Sequence, residues 1–212
     1  MSNLGINVRH TLRQLHQRPA FSALTVLTLA LGIGATTAIF SVVYGVLLRP
    51  LPYPQADRIV HLWELDATGN RMNVAEPNFT DLRAASKTFI GLTAVSSEET
   101  TVTGGSEPTR VTGAAVSRDF FTVFGVSPIL GRAFSAEDQR PGAAPAALVS
   151  HAYWQQYLRS SPNLAKFKLL ADNQVFSVVG VMPQGFNFPD NTALWVPSEI
   201  FPSDTSRTAH NW

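Results

Sequence analysis

The sequence predicts an α+β protein with one N-terminal transmembrane helix and, beyond it, an extracytoplasmic region of mixed strands and helices. Three observations carry that expectation. Phe21 to Leu48 runs for twenty-eight residues without a charged side chain, between Arg18 and Arg49. Charge divides sharply at that run. After Asp57 the apolar pattern switches repeatedly between a period of two and a helical period.

The first segment, residues 1–19, places Leu4, Val8, Leu12 and Leu15 at helical spacing with Arg9, Arg13 and His16 between them. That pattern reads as an amphipathic helix on the cytoplasmic membrane surface. Residues 20–48 form the expected spanning helix. Twenty-eight helical residues rise about 40 Å against a hydrocarbon core of about 30 Å. Nineteen are apolar, three are Gly and six are Ser or Thr, whose hydroxyls can bond back to the backbone. A cleaved secretory signal is the competing reading, but its apolar core runs for roughly 7 to 15 residues, about half the length here.

Within the helix Ala30, Gly34 and Ala38 recur every fourth residue, with Thr37, Ser41 and Gly45 in a row beside them. Small residues in rows let a second helix approach closely. The expected packing face is therefore Ala30, Gly34, Ala38, Ser41 and Gly45, and plain membrane-helix composition is the alternative.

Orientation follows from charge. The first nineteen residues carry Arg9, Arg13 and Arg18 and no acid, whereas Arg49 to Trp212 carries thirteen basic and fifteen acidic residues, a net of −2. Basic residues beside a spanning segment resist translocation, so the amino end is expected in the cytoplasm and everything after residue 49 outside. Neither part has the concentrated basic face of a nucleic-acid binder. The absence of cysteine excludes a disulfide framework and a thiolate metal site.

Residues 49–56 hold Pro50, Pro52 and Pro54 in alternation, which forces an extended, stiff connector. From 57 to 103 the pattern reads strand, helix, strand. Arg58 to Leu65 alternates, Asn78 and Asp81 mark a helix start with Phe79, Leu82 and Phe89 on its buried side, and Leu92 to Thr103 is the second strand. Gly104-Gly105-Ser106-Glu107-Pro108 then punctuates the chain. The next unit, to about residue 200, has a strand at Val111–Val116, a short helix holding Phe120, Phe121 and Phe124 and capped by Ser117, and a strand at Ala146–Val149. Ser150 caps a helix from His151 to Arg159. A hairpin joins Phe167–Leu170 to Val175–Met182 around Asp172-Asn173, and Pro141–Pro145 is a surface loop.

The run from Val116 to Phe134, with Phe120, Phe121, Gly125, Pro128, Gly131, Arg132 and Phe134 in order, resembles the signature of the MacB-like periplasmic core domain of bacterial ABC transporter permeases. So do Leu148 to Trp154 with Ser150 and Trp154, Val178 to Pro183 with Gly180 and Pro183, Gly185-Phe186, and Leu194 to Pro197 with Trp195 and Pro197. Leu47 to Pro54 resembles the exit from the first membrane helix of FtsX/MacB-type permeases, above all the duplicated-permease kind. Each residue also has a structural explanation as a core aromatic, a turn glycine or an element-ending proline. The resemblance implies no catalytic, cofactor or metal residue.

It implies a four-helix permease subunit of the bacterial inner membrane, with its external domain between the first two membrane helices. In that arrangement residues 57–103 are the first half of a porter-like subdomain, a βαβ unit left incomplete. Residues 104–200 are an inserted α+β module and 201–212 a truncated return segment, so the chain reads as an N-terminal fragment. The implied partners are the lipid bilayer, the remaining permease helices or a second permease copy, a separate cytoplasmic ABC ATPase, and periplasmic proteins. The implied work is coupling of ATPase-driven helix motion to periplasmic substrates. One departure stands out: Ala165-Lys166 replaces the glycine that usually precedes the strand there.

Two alternatives come from other classes. A single-pass anchored periplasmic binding module needs no missing helices. An anchored hydrolase would need Ser150 and His151 as nucleophile and base, but helix neighbours point apart and no Gly-x-Ser-x-Gly elbow surrounds the serine. The five histidines, at 10, 16, 61, 151 and 210, lack metal-ligand spacing. No glycine-rich phosphate loop with Lys and Ser/Thr is present, which leaves ATP hydrolysis to a separate subunit.

Overall fold

The computed structural model describes residues 18–45, 53–54, 56–189 and 191–209. The chain divides into two units, Met1–Pro50 and Leu51–Trp212. The expected amphipathic segment, Pro50 and Pro52 of the connector, and the last residues of both the spanning stretch and the return segment lie outside the described residues.

In the first unit α1 (Pro19–Val43) is a 25-residue helix with no buried side chain. Proline opens it, at a position whose N–H would have no helical partner. Its length of about 37 Å exceeds a hydrocarbon core of about 30 Å. Among the described residues it is the one helix long and apolar enough to cross a membrane. Four of the hydroxyls bond back within the helix: Thr25 donates to the Phe21 carbonyl at 2.9 Å, Thr28 to Leu24 at 2.9 Å, Thr36 to Gly32 at 2.8 Å and Ser41 to Thr37 at 2.8 Å. A polar group closed off in this way adds little cost to burial in lipid.

The second unit begins with a two-residue hairpin, β1 (Glu64–Leu65) against β2 (Arg71–Met72), and α2 (Glu76–Ala85). Then come β3 (Val95–Val102), β4 (Thr109–Val116), α3 (Phe120–Phe124) and β5 (Leu130–Gly131). β6 (Ala146–Val149), α4 (His151–Tyr157), β7 (Lys168–Ala171), β8 (Gln174–Val181) and β9 (Leu194–Pro197) follow. Seven strands make one mixed sheet in the order β3-β4-β9-β6-β8-β5, with β7 also against β8. β4–β9 and β6–β8 are parallel; the other pairs are antiparallel. Thr103 and Leu170 exchange backbone hydrogen bonds of 2.9 and 2.8 Å, so the sheet curls until β3 meets β7.

Strand alternation divides the sheet into two cores. Ala147, Val149, Leu194 and Val196 join Val102, Leu169, Phe176 and Tyr153 on the inner face. Leu148 and Trp195, one residue out of phase, join Phe120, Phe121, Phe124, Met182 and Phe186 on the other. Leu148, Val149 and Trp195 are fully buried, as two-sided packing requires.

Several local expectations hold. Ser150 Oγ accepts the Tyr153 N–H at 3.1 Å and caps α4. Asp172 and Asn173 take φ of 45° and 64°, the left-handed pair that a tight hairpin needs.

Other expectations are corrected. Of Arg58–Leu65 only Glu64–Leu65 pairs in a strand, because no neighbouring strand runs beside residues 58–63. The helix starts at Glu76 rather than Asn78; Pro77 suits its first turn, and the Asn78 amide donates to Glu64 Oε1 at 2.8 Å. No α2 residue is buried, and Leu82 and Phe89 remain exposed. β3 does not return to β1; it pairs with β4 along all eight residues, so Val95–Val102 joins the seven-stranded sheet while β1 and β2 stay in a sheet of their own. Ser117 does not cap α3: its hydroxyl accepts the Ala94 N–H at 2.9 Å. α4 ends at Tyr157, before Arg159 and Ser160, which adopt positive φ.

The return segment lies along α2. The Asp204 N–H donates to Glu76 Oε2 at 2.7 Å, and Arg207 reaches Asn78 Oδ1 at 2.7 Å and Asp81 Oδ2 at 2.8 Å.

Candidate functional site

The signature aromatics converge on one face of the sheet. α3 is only five residues long, yet Phe120, Phe121 and Phe124 are all buried. Phe120 and Phe121 meet edge to face at 5.1 Å, Phe121 lies 5.9 Å from Phe134, and Phe186 lies 5.5 Å from Trp195. Trp195 Nε1 donates to the Phe188 carbonyl at 2.9 Å, which satisfies its one polar atom inside the core.

The last described part of the connector is seated in this cluster. The Tyr53 ring lies edge-on to Phe124 at 5.1 Å, to Phe186 at 5.7 Å and to Phe188 at 6.3 Å. Burial raises the Tyr53 hydroxyl above its usual range. Pro54 covers Gly125, the left-handed residue (φ 63°) that ends α3; a Cβ at Gly125 would stand 3.3 Å from Pro54 Cβ. Proline fixes its own φ, so Pro54 meets this aromatic base with a restrained backbone. Neither Tyr53 nor Phe188 carries a local pattern that marks it in the sequence. The available signal was an aromatic side chain inside a proline run, where nothing local requires one.

Other signature residues hold the frame. Gly131 and Gly180 are cross-strand partners, and neither has room for a side chain. A Cβ at Gly131 would stand 2.2 Å from the Val179 carbonyl oxygen, and one at Gly180 2.5 Å from that of Arg132. Arg132 forks onto both oxygens of Asp138, with Nη2 to Oδ1 at 3.0 Å. Burial alone would raise the Asp138 carboxyl, but hydrogen bonds from Arg132 and Ser135, with the guanidinium charge, hold it below its ordinary value. Trp154 Nε1 donates to the Ser161 carbonyl at 2.9 Å, the Pro183 carbonyl accepts the Phe186 N–H at 3.2 Å, Gly185 turns at φ 87°, and Pro197 ends β9 opposite Val116. Pro128 lies in the turn between α3 and β5.

Of the residues weighed for catalysis and metal binding, those that are described have other partners, and His10, His16 and His210 lie outside the described residues. Ser150 is buried as a helix cap, while His151 lies against Trp154 with ring centroids 5.5 Å apart. His61 stacks on Trp63 at 3.8 Å. Among the described residues no three His, Cys, Asp or Glu side chains converge. Gly34 on α1, and Gly45 just past its end, open onto free space, with no atom within 4 Å of a built Cβ.

A model of the MacB-like periplasmic core domain matches residues 22–211. Among solved structures, the chain is similar to the extracellular domain of the noncanonic ABC-type transporter YknZ from Gram-positive bacteria. Identity is 19% and the TM-score 0.53, over 66% of this chain and 72% of that one. It is also similar to the periplasmic region of MacB from Actinobacillus actinomycetemcomitans, at 14% identity and a TM-score of 0.50, over 65% of this chain and 64% of that one. At these identities the likeness is one of fold. No curated protein matches the sequence.

Proposed function

The chain belongs to the MacB-like periplasmic core domain family, and on that premise we propose that it serves as a permease subunit of an ABC transporter. In this reading α1 spans the bacterial inner membrane with its amino end in the cytoplasm, and the residues after 49 stand in the periplasm. The small-residue row Ala30, Gly34, Ala38, Ser41 and Gly45 receives another permease helix or a second permease copy. A separate cytoplasmic ATPase moves the helices, and the Pro50–Pro54 connector passes that movement to the external unit, which acts on periplasmic substrates or partner proteins.

The observation that carries this reading is the seat of Tyr53 among Phe124, Phe186 and Phe188, with Pro54 on Gly125. A connector meant only to end a helix has no need to be fixed in a core. A connector that transmits displacement must be fixed, since a slack joint absorbs it.

The test is to isolate the assembly from native membranes through a tag on this chain and follow maleimide labelling of Ser203→Cys. The assembly is expected to hydrolyse ATP and to change its labelling rate when ATP and magnesium are added. Tyr53→Ala should abolish that change while hydrolysis continues. An assembly without ATP hydrolysis, or a Tyr53→Ala variant with an intact nucleotide response, contradicts the proposal.

A further inference from the structure

Alternation along β3 puts Glu98, Thr100 and Val102 on one face, and the register sets Glu98 opposite Gly113 on β4. Val102 belongs to the inner core, so Glu98 is an acid on the inner face, at the solvent-open end of the curled sheet. Gly113 has no side chain to cover it, and a Cβ there would already touch Thr100 Cγ2 at 3.4 Å. The space left open is a cavity of about 210 Å³.

Its lining has two characters. Phe176, Leu194 and Val196, all buried core residues, form an apolar floor. Glu98 and Asp172 stand at the rim. Asp172 is fixed by the buried Thr100, whose hydroxyl donates to Oδ1 at 2.8 Å. No lysine or arginine lines the cavity, and among the described residues neither acid forms an ion pair.

An apolar floor favours a ligand that brings hydrocarbon out of water, and two carboxylates without a basic partner favour a positive head and repel a negative one. We infer that this cavity binds a small organic cation, its apolar body on Phe176, Leu194 and Val196 and its ammonium or amidinium head between Glu98 and Asp172. The inference is independent of the transport reading, because it rests on the sheet interior alone.

Three probes of one size and different charge test it: benzylamine, benzyl alcohol and benzoate, titrated into the full chain in detergent micelles. Side-chain methyl NMR follows Ala115, Ala171, Leu194 and Val196, which separates binding in the cavity from partition into micelles. Benzylamine should give saturable shifts at these methyls, with benzyl alcohol weaker by about tenfold or more and benzoate without effect. The double variant Glu98→Gln, Asp172→Asn should lose that preference for the amine while binding the alcohol as before. The single variant Glu98→Gln, on an exposed rim position, should show part of the same loss with an unchanged methyl spectrum. Equal binding of the three probes, absence of saturation by benzylamine, or an amine affinity unaltered by the double variant would overturn the assignment.

Discussion

The seven-stranded sheet and the stretch before it, residues 60–90, are built from similar residues to opposite effect. In the sheet, Trp195, Leu148 and Phe120 are wholly buried between strands and α3. In residues 60–90 only Ala75 is buried, and Ile90 is 89% exposed. The sheet is held by two-sided apolar packing. The earlier stretch is held by polar ties: Arg83 to Asp119 at 2.5 Å, Asn78 to Glu64, and the return segment on α2. Apolar burial is worth roughly 25 cal/mol per Å², whereas exposed ion pairs contribute about 0–1 kcal/mol each. Stability therefore resides in the sheet, and α2 should move at low cost.

The largest test of this contrast is a pair of truncations. Phe120→Ala should cost about 3–5 kcal/mol in chemical denaturation, while Leu82→Ala on α2 should cost less than about 1 kcal/mol. Similar losses would erase the distinction. Gly180→Ala comes next: the added methyl meets the Arg132 carbonyl and Leu148, and overpacking there should cost about 1–3 kcal/mol.

Asp138→Asn should cost about 1 kcal/mol at neutral pH, discounted because Arg132 is half exposed. The folded carboxyl sits below its unfolded value, so its contribution is complete above about pH 4 and disappears as pH falls through the folded value. The gap between parent and variant should close in acid; a gap that persists there would assign the loss to packing. The smallest effect is expected for Arg207→Ala, a few tenths of a kcal/mol in global stability. It should nevertheless speed amide exchange in α2 while leaving β6, β8 and β9 unchanged.

What the sequence revealed was what short-range chemistry decides. The Ser150 cap and the Asp172-Asn173 turn need only neighbours within four residues, and the long apolar helix needs only its own composition. β9 is legible as a motif but not as a strand, since Leu194 to Pro197 is buried on both faces and shows no alternation. Leu92–Thr103 is legible as a strand, but its pairing with β4 depends on a partner that periodicity does not name. The Tyr53 seat is illegible for the same reason: its three partners are distant in the chain and meet only once α3 and the segment between β8 and β9 are packed.

The reading as a whole stands on sidedness across the membrane, and the cysteine-free chain suits its measurement. Single variants Ser2→Cys and Ser106→Cys are exposed to a membrane-impermeant maleimide on spheroplasts. Labelling of Ser106→Cys with protection of Ser2→Cys until lysis is the predicted result; protection of Ser106→Cys, or labelling of both sites before lysis, would contradict it.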